Sequence, residues 1–320
     1  MSLLLLVKSD YIEYYGYTAE HHNVISPDGY LLSVFRIPSE GSPILFQHGL
    51  LLASDSWVLQ GPEYDLAFLL ADKGYDIWIG DNRGNTFSRS HLRLSPKSSK
   101  FWNFSFYEMG FYDMPSVIDY ILQVTKTEKV DIIGHSIGAT SAFVMFSTQP
   151  EYNEKVRSLL AIAPGVFFNS SIQSNVQQIL KRYEPYLKKP AIDYARAVPR
   201  GVSYKTLIHL SQLSHSGKLS HFDYGPKTNI GVYGSREPPE FNLTLVTVPV
   251  ALLFSDGDVH VSSQDVALLK LQLPNVVASY HIEKPTFNHM DFIWGSQARE
   301  EAYEFIMEVF NHLDGENLDV

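Results

Sequence analysis

Three side chains that together can cleave an ester occur in this chain in a workable order. Ser136 stands between Gly134 and Gly138 in "VDIIGHSIGA", Asp256 and Asp258 close "LLFSDGDVHVS", and His289 lies in "KPTFNHMDFIWG". A serine hydroxyl is a poor nucleophile until a base takes its proton, and the base works best when a carboxylate fixes its ring, so the order Ser, Asp, His suits nucleophilic acyl transfer. Twelve histidines are present. Only His289 falls between the final strand-like run and the last helix: His260 is too near the aspartates, His281 lies within a strand pattern, and His312 lies in the terminal helix. Periodicity does not choose between Asp256 and Asp258, since either could be a turn residue.

The glycines around Ser136 argue for a sharp turn between strand and helix, where a Cβ on either side would collide with neighbouring backbone. Such a turn displays the serine at the start of a helix, where free N–H groups and the dipole favour developing negative charge. A tetrahedral intermediate also needs two preorganised N–H donors. One is expected from Ile137, directly after the serine. The other is expected from Leu50, in the loop after "PILFQHGLLLAS".

These residues need a frame, and the apolar pattern supplies one. "HHNVISPDGYLLSVFRIP" (21–38) reads as an antiparallel hairpin around Ser26–Gly29. Runs at 43–49, 75–81, 130–135, 159–165, 249–258 and 276–282 are short and largely unalternating, as in strands of a parallel sheet buried on both faces. Helical stretches at 62–73, 114–125, 138–149, 263–272 and 297–312 fall between or after them. The alternation predicts a doubly wound α/β sheet. The rhythm breaks only over 166–248, expected to be a helical cap inserted between the sixth and seventh strands of a core formed by 1–165 and 249–320.

Composition sets outer bounds. The 320 residues are 45% apolar, carry a formal charge of −10 and contain no cysteine, which excludes disulfides, thiolate metal sites and a cysteine nucleophile. The negative charge disfavours nucleic acid as a partner. No stretch of eighteen apolar residues could span a bilayer, so no transmembrane segment is expected. "MSLLLLVKSD" has only five consecutive apolar residues and no basic n-region, too little for a secretory leader, and reads as the start of a mature or trimmed chain. Sequons at Asn103, Asn169 and Asn242 are candidate glycosylation sites and lean toward a secreted or luminal location.

Several blocks make a resemblance specific. "FQHGLLLASDSWV", "GYDIWIGDNRGNTFSRSH", "DIIGHSIGA", "LLAIAPG" and "FNHMDFIWG", with the opening "YYGYTAEHHNVISPDGYLLSVFRIP", resemble the acid lipase family of α/β-hydrolases, which contains gastric and lysosomal acid lipases. The match runs from about residue 10 to 312. The resemblance implies an α/β-hydrolase fold, Ser136 as nucleophile, Asp258 as the acid (with "SSQDV" downstream setting the register), His289 as base, and Leu50 with Ile137 as oxyanion hole. It further implies neutral lipid esters, triacylglycerols or sterol esters, as substrates, and no cofactor. The chain departs from the family in three ways: Ile137 replaces a usual glutamine, the cap has no cysteine, and the cap is shorter, reduced around Lys189 to Pro199.

Within the cap, "IQSNVQQILKRYEPYLKK" (172–189) is amphipathic, with Lys181, Arg182, Lys188 and Lys189 forming a basic cluster. It is expected to pack on the core; contact with a lipid surface is the alternative. His209, His215 and His221 recur at intervals of six, which does not keep them on one helical face, so they read as surface histidines and no metal site is expected. "DNRGN" (81–85) reads as a structural turn. The reduced cap leaves two other functions open: a short-chain esterase, or a lipase-like binding or storage protein without turnover.

Overall fold

The computed structural model describes residues 8–168 and 199–315. Asn169 and the 172–189 stretch with its basic cluster lie outside the described residues. The strands are β1 (Glu20–Ile25), β2 (Tyr30–Ile37), β3 (Pro43–Gln47), β4 (Asp76–Gly80), β5 (Ser90–His91), β6 (Val130–His135), β7 (Val156–Ile162), β8 (Val250–Ser255) and β9 (Val276–Ile282). They form one sheet in the order β1-β2-β4-β3-β6-β7-β8-β9, with β5 on β2. The hairpin β1–β2 is antiparallel, as is β2 with β4; every later pairing from β4 onward is parallel.

The sheet is covered on both faces, which is why its central strands read as continuous apolar runs. Along β3, Ile44 and Phe46 face one core with the helices Leu66–Asp72 and Glu304–Leu313, while Leu45 faces the other with Met114–Thr125 and Ile137–Thr148. β3, β4 and β6 are buried at every position.

Two expectations change. β9 is an edge strand, with Val277 55% and Tyr280 40% exposed, because nothing pairs on its far side among the described residues. The two-residue β5 was not foreseen, since a pair of residues carries no periodicity; counting it, the expected insertion falls between β7 and β8. The described part of that insertion holds the helices Tyr204–Ser216 and Pro226–Tyr233. The histidines there also differ from expectation. His209 is fully buried against Phe106, accepting from the Ser105 hydroxyl (3.0 Å) and donating to the Ser220 carbonyl (2.9 Å); burial pushes its pKa down to about 4. His221 is half-buried between Tyr107 and Phe241, and only His215 is exposed.

Candidate active site

The parallel strands deliver the sequence-predicted residues to one edge of the sheet. β6 ends at His135, and the helix Ile137–Thr148 begins one residue after Ser136. Ser136 itself takes φ 55°, ψ −119°, a conformation that costs a non-glycine residue about 1–3 kcal/mol. Backbone contacts fix it there: its N–H donates to the Ile162 carbonyl (2.9 Å) and its carbonyl accepts from Thr140 N–H (3.1 Å). A Cβ on Gly138 would run into the backbone carbonyls of Gln47 and His48, and one on Gly134 would lie 2.8 Å from Ala139 N. The turn therefore closes only with glycine at both places. Ser136 is left half-buried, and its hydroxyl makes no hydrogen bond among the described residues.

The other two predicted groups meet directly. Asp258 Oδ2 accepts from His289 Nδ1–H at 2.7 Å, with both residues buried. That bond fixes the tautomer and leaves Nε2 to act on a proton. The loops carrying the two residues approach through Gly257, where a Cβ would strike the Phe287 carbonyl, and through Ser255, whose hydroxyl donates to the same carbonyl at 2.7 Å. Asp258 also accepts the N–H groups of His260 and Val261 on Oδ1 (2.8 and 3.0 Å). Burial alone would raise its pKa, but the charge and hydrogen bond of His289, helped by His260, hold the carboxyl below the usual range. Asp256 is exposed and pairs instead with His281 at 2.7 Å. The geometry thus separates the two aspartates that periodicity could not.

The two expected backbone donors lie beside the serine. Ile137 is the buried first residue of its helix, so its N–H has no intrahelical partner. Leu50 follows Gly49, and a Cβ on Gly49 would sit 3.2 Å from Ser136 Cβ, which places this loop against the turn. The next residue, Leu51, is buried with φ 63°, a second non-glycine residue in the left-handed region.

Several residues around the site were not singled out by the sequence. His135 is buried and donates from Nε2 to the His289 carbonyl (3.1 Å), their rings 4.7 Å apart, and burial holds its pKa well below the ordinary histidine value. A neutral histidine next to Ser136 thereby braces the backbone of His289. His48 donates from Nδ1 to the Gly49 carbonyl (2.8 Å) while its Nε2 accepts from Asn82 N–H (3.1 Å) and Asn85 Nδ2 (3.2 Å). Because a trans peptide points its N–H opposite to its carbonyl, fixing the Gly49 carbonyl fixes the direction of Leu50 N–H. "DNRGN" is a turn as expected, but a buried one that serves this loop: Asp81 accepts from Ser54 N–H, Ser54 Oγ and Asn85 Nδ2, while Arg83 is locked between Asp113 and Asp28. His260 packs edge-on against His289, with ring centroids 5.0 Å apart. Their signal was spatial, so a linear pattern could not supply it. Among the described residues no group of His, Asp or Glu is arranged to hold a metal ion.

Comparison with known proteins places this geometry. The chain superposes on a carboxylesterase, CesB, from Bacillus subtilis (TM-score 0.60, 16% identity, 97% of this chain and 96% of that one) and on an esterase from Exiguobacterium antarcticum (TM-score 0.60, 16% identity, 92% and 100%). At that identity the likeness shows the fold alone, and the fold is that of the α/β-hydrolases. Residues 42–244 match the family described as alpha/beta hydrolase fold, and residues 8–61 match the partial alpha/beta-hydrolase lipase region. Relatives in sequence include Lipase 1 of Drosophila melanogaster, 36% identical over 339 residues (92% of this chain, 77% of the relative). Gastric triacylglycerol lipase of Bos taurus is 36% identical over 359 residues (94% and 90%), and that of Homo sapiens 33% over 361 (95% and 90%). The chain belongs to the acid lipase family of α/β-hydrolases, the family of gastric triacylglycerol lipase, and is a carboxylic ester hydrolase.

Proposed function

We propose that this chain hydrolyses neutral lipid esters, triacylglycerols or sterol esters, through an acyl-enzyme on Ser136. In this reading His289 Nε2 takes the Ser136 proton as Oγ attacks the ester carbonyl. The N–H groups of Leu50 and Ile137 receive the oxyanion, and His289 returns the proton to the departing alcohol. Water, deprotonated by His289, then frees the fatty acid and regenerates Ser136. Asp258 holds the imidazole in the required tautomer and stabilises the imidazolium. The observation that carries the reading is the buried 2.7 Å Asp258–His289 bond, tied to the strained Ser136 turn by the bond from the neighbouring His135 to the His289 carbonyl.

The lipid preference is supported by the relatives named gastric triacylglycerol lipase. Residues 166–248 are read as the cap over the acyl groove and the remainder as the catalytic core. Glycosylation at the exposed Asn103 and Asn242 and a secreted or luminal location belong to the same reading, with contact of the cap with a lipid surface as the alternative to its packing on the core. Among the described residues no helix is long and apolar enough to cross a membrane. Alignments of 359 and 361 positions exceed the 320 residues of this chain, so stretches of these relatives have no counterpart here.

Hydrolysis of p-nitrophenyl esters from acetate to palmitate tests the proposal. The expected result is turnover that persists through long acyl chains and falls by at least about 10⁴-fold in Ser136→Ala. Activity confined to acetate and butyrate would replace the lipase reading with a short-chain esterase, and no activity at any length would replace it with a lipid-binding protein.

A further inference from the structure

The loop assigned above to the oxyanion hole contains a strained residue that the proposed catalytic groups do not explain. Leu51 has φ 63° and is buried, in a conformation that glycine adopts freely and leucine does not. A left-handed leucine persists only where its surroundings over-determine it. On the β3 side, the Gly49 carbonyl accepts from His48 Nδ1–H (2.8 Å) and Leu52 N–H (3.3 Å). On the other side, the Leu51 carbonyl accepts from Arg200 N–H at 2.8 Å. Arg200 comes from the return of the inserted segment, about 150 residues away in sequence.

Arg200 is itself anchored three times. Its carbonyl accepts from Thr86 N–H (2.7 Å) and Thr86 Oγ1 (2.9 Å). Its guanidinium lies over the Phe87 ring at 5.1 Å and pairs with Asp55, which is buried in the short helix Ser54–Trp57 directly after the loop. One residue thus holds the Leu51 carbonyl with its backbone and the next turn of the same loop with its side chain.

We propose that Arg200 is a positioning residue for the oxyanion hole, clamping Leu51 in its left-handed conformation and so aiming the Leu50 N–H at the reacting carbonyl. The inference rests on the reading of Leu50 and Ile137 as oxyanion donors. Arg200 touches no reacting atom in this account; it acts through the loop.

A structural staple and a positioning residue differ in what they change. Arg200→Ala keeps the N–H that bonds the Leu51 carbonyl but removes the side-chain anchors on Asp55 and Phe87 that seat it, so kcat on p-nitrophenyl butyrate is expected to fall about 10-fold or more, with KM changed less than about twofold. The inhibition constant of a trifluoromethyl ketone, which mimics the tetrahedral adduct, should rise by the same factor as kcat falls. Arg200→Lys, which keeps the charge, should recover part of the loss. In a Leu51→Gly background, where the conformation needs no clamp, the loss caused by Arg200→Ala should shrink to less than about threefold. A lowered melting temperature with kcat and the ketone constant unchanged would overturn the proposal, as would an effect on KM alone or an undiminished loss in the glycine background. Full turnover by Ser136→Ala would instead remove the reading beneath it. An inactive Ser136→Ala with an unaffected Arg200→Ala would remove this proposal only.

Discussion

The two sides of the candidate site hold strained backbone by different means. Ser136 and Leu51 both carry positive φ, 55° and 63°. The Ser136 turn is held by packing: Gly134 and Gly138 bring the helix start against β3 and β6 so closely that no side chain fits. The Leu50–Leu51 loop is held by polar ties from afar, His48 backed by Asn82 and Asn85 on one flank and Arg200 on the other. Steric pinning asks for a particular residue type at only two nearby positions, Gly134 and Gly138, although part of the backbone they meet comes from β3. Polar pinning spreads the work over segments that meet only after folding, and each tie can be weakened without unfolding the rest.

That contrast is sharpest for Gly138→Ala, where the largest effect is expected. The new Cβ meets backbone carbonyls that cannot rotate away, so stability should fall by about 3 kcal/mol and kcat/KM by at least about a hundredfold through displacement of Ser136. Thermal unfolding and ester assays on the soluble fraction measure both; a stable and active variant would remove the steric side of the comparison. His48→Ala should do less, lowering kcat about 10- to 100-fold as the Gly49 carbonyl loses the shorter of its two donors and keeps only Leu52 N–H. Wild-type kcat in that variant would show that the loop holds its shape without the polar tie.

The smallest effect concerns Asp65, directly before the helix Leu66–Asp72. It is fully buried, receives the N–H groups of Gln60 and Gly61 on one oxygen (2.6 and 2.8 Å), and leaves Oδ1 without a hydrogen-bond partner; burial pushes its pKa up to about 7. In the unfolded chain the carboxyl releases its proton near pH 4, so between about 4 and 7 the unfolded state binds fewer protons and stability declines as pH rises. Asp258 acts with the opposite sign: its lowered pKa gives stability that is present above about pH 4 and lost as pH falls further. Asp65→Asn should therefore raise the melting temperature by a few degrees at pH 8 and little at pH 5. An equal change at both pH values would show that the Asp65 proton does not set this dependence.

The same division explains what was legible in the sequence. The hairpin, the buried strands and the helices at 114–125 and 263–272 follow from local apolar patterns and agree closely with the fold. Ser136 was legible because its glycines are its neighbours, and His289 because the strand order places it after the last strand. Spacing alone did not choose between Asp256 and Asp258, since both stand in one turn; the family resemblance pointed to Asp258, and that is the aspartate that meets His289 in the folded loop. His135, His48, His260 and Arg200 draw their meaning from partners 29 to 154 residues away. His209 shows the same limit from the other direction: spacing spoke against a shared face, yet the ring fills a gap beside Phe106 and is satisfied there. Linear spacing reads steric demands well and long-range polar ones poorly.

Ser136 is the residue proposed to be acylated during turnover. The most direct test is to inactivate the wild-type chain with a p-nitrophenyl alkylphosphonate, digest it, and locate the adduct by mass spectrometry while following residual ester hydrolysis. One phosphonate per chain is expected, on Ser136, with activity lost in proportion to labelling. An adduct at another residue that tracks the loss of activity, or full hydrolysis by a chain labelled at Ser136, would contradict that assignment.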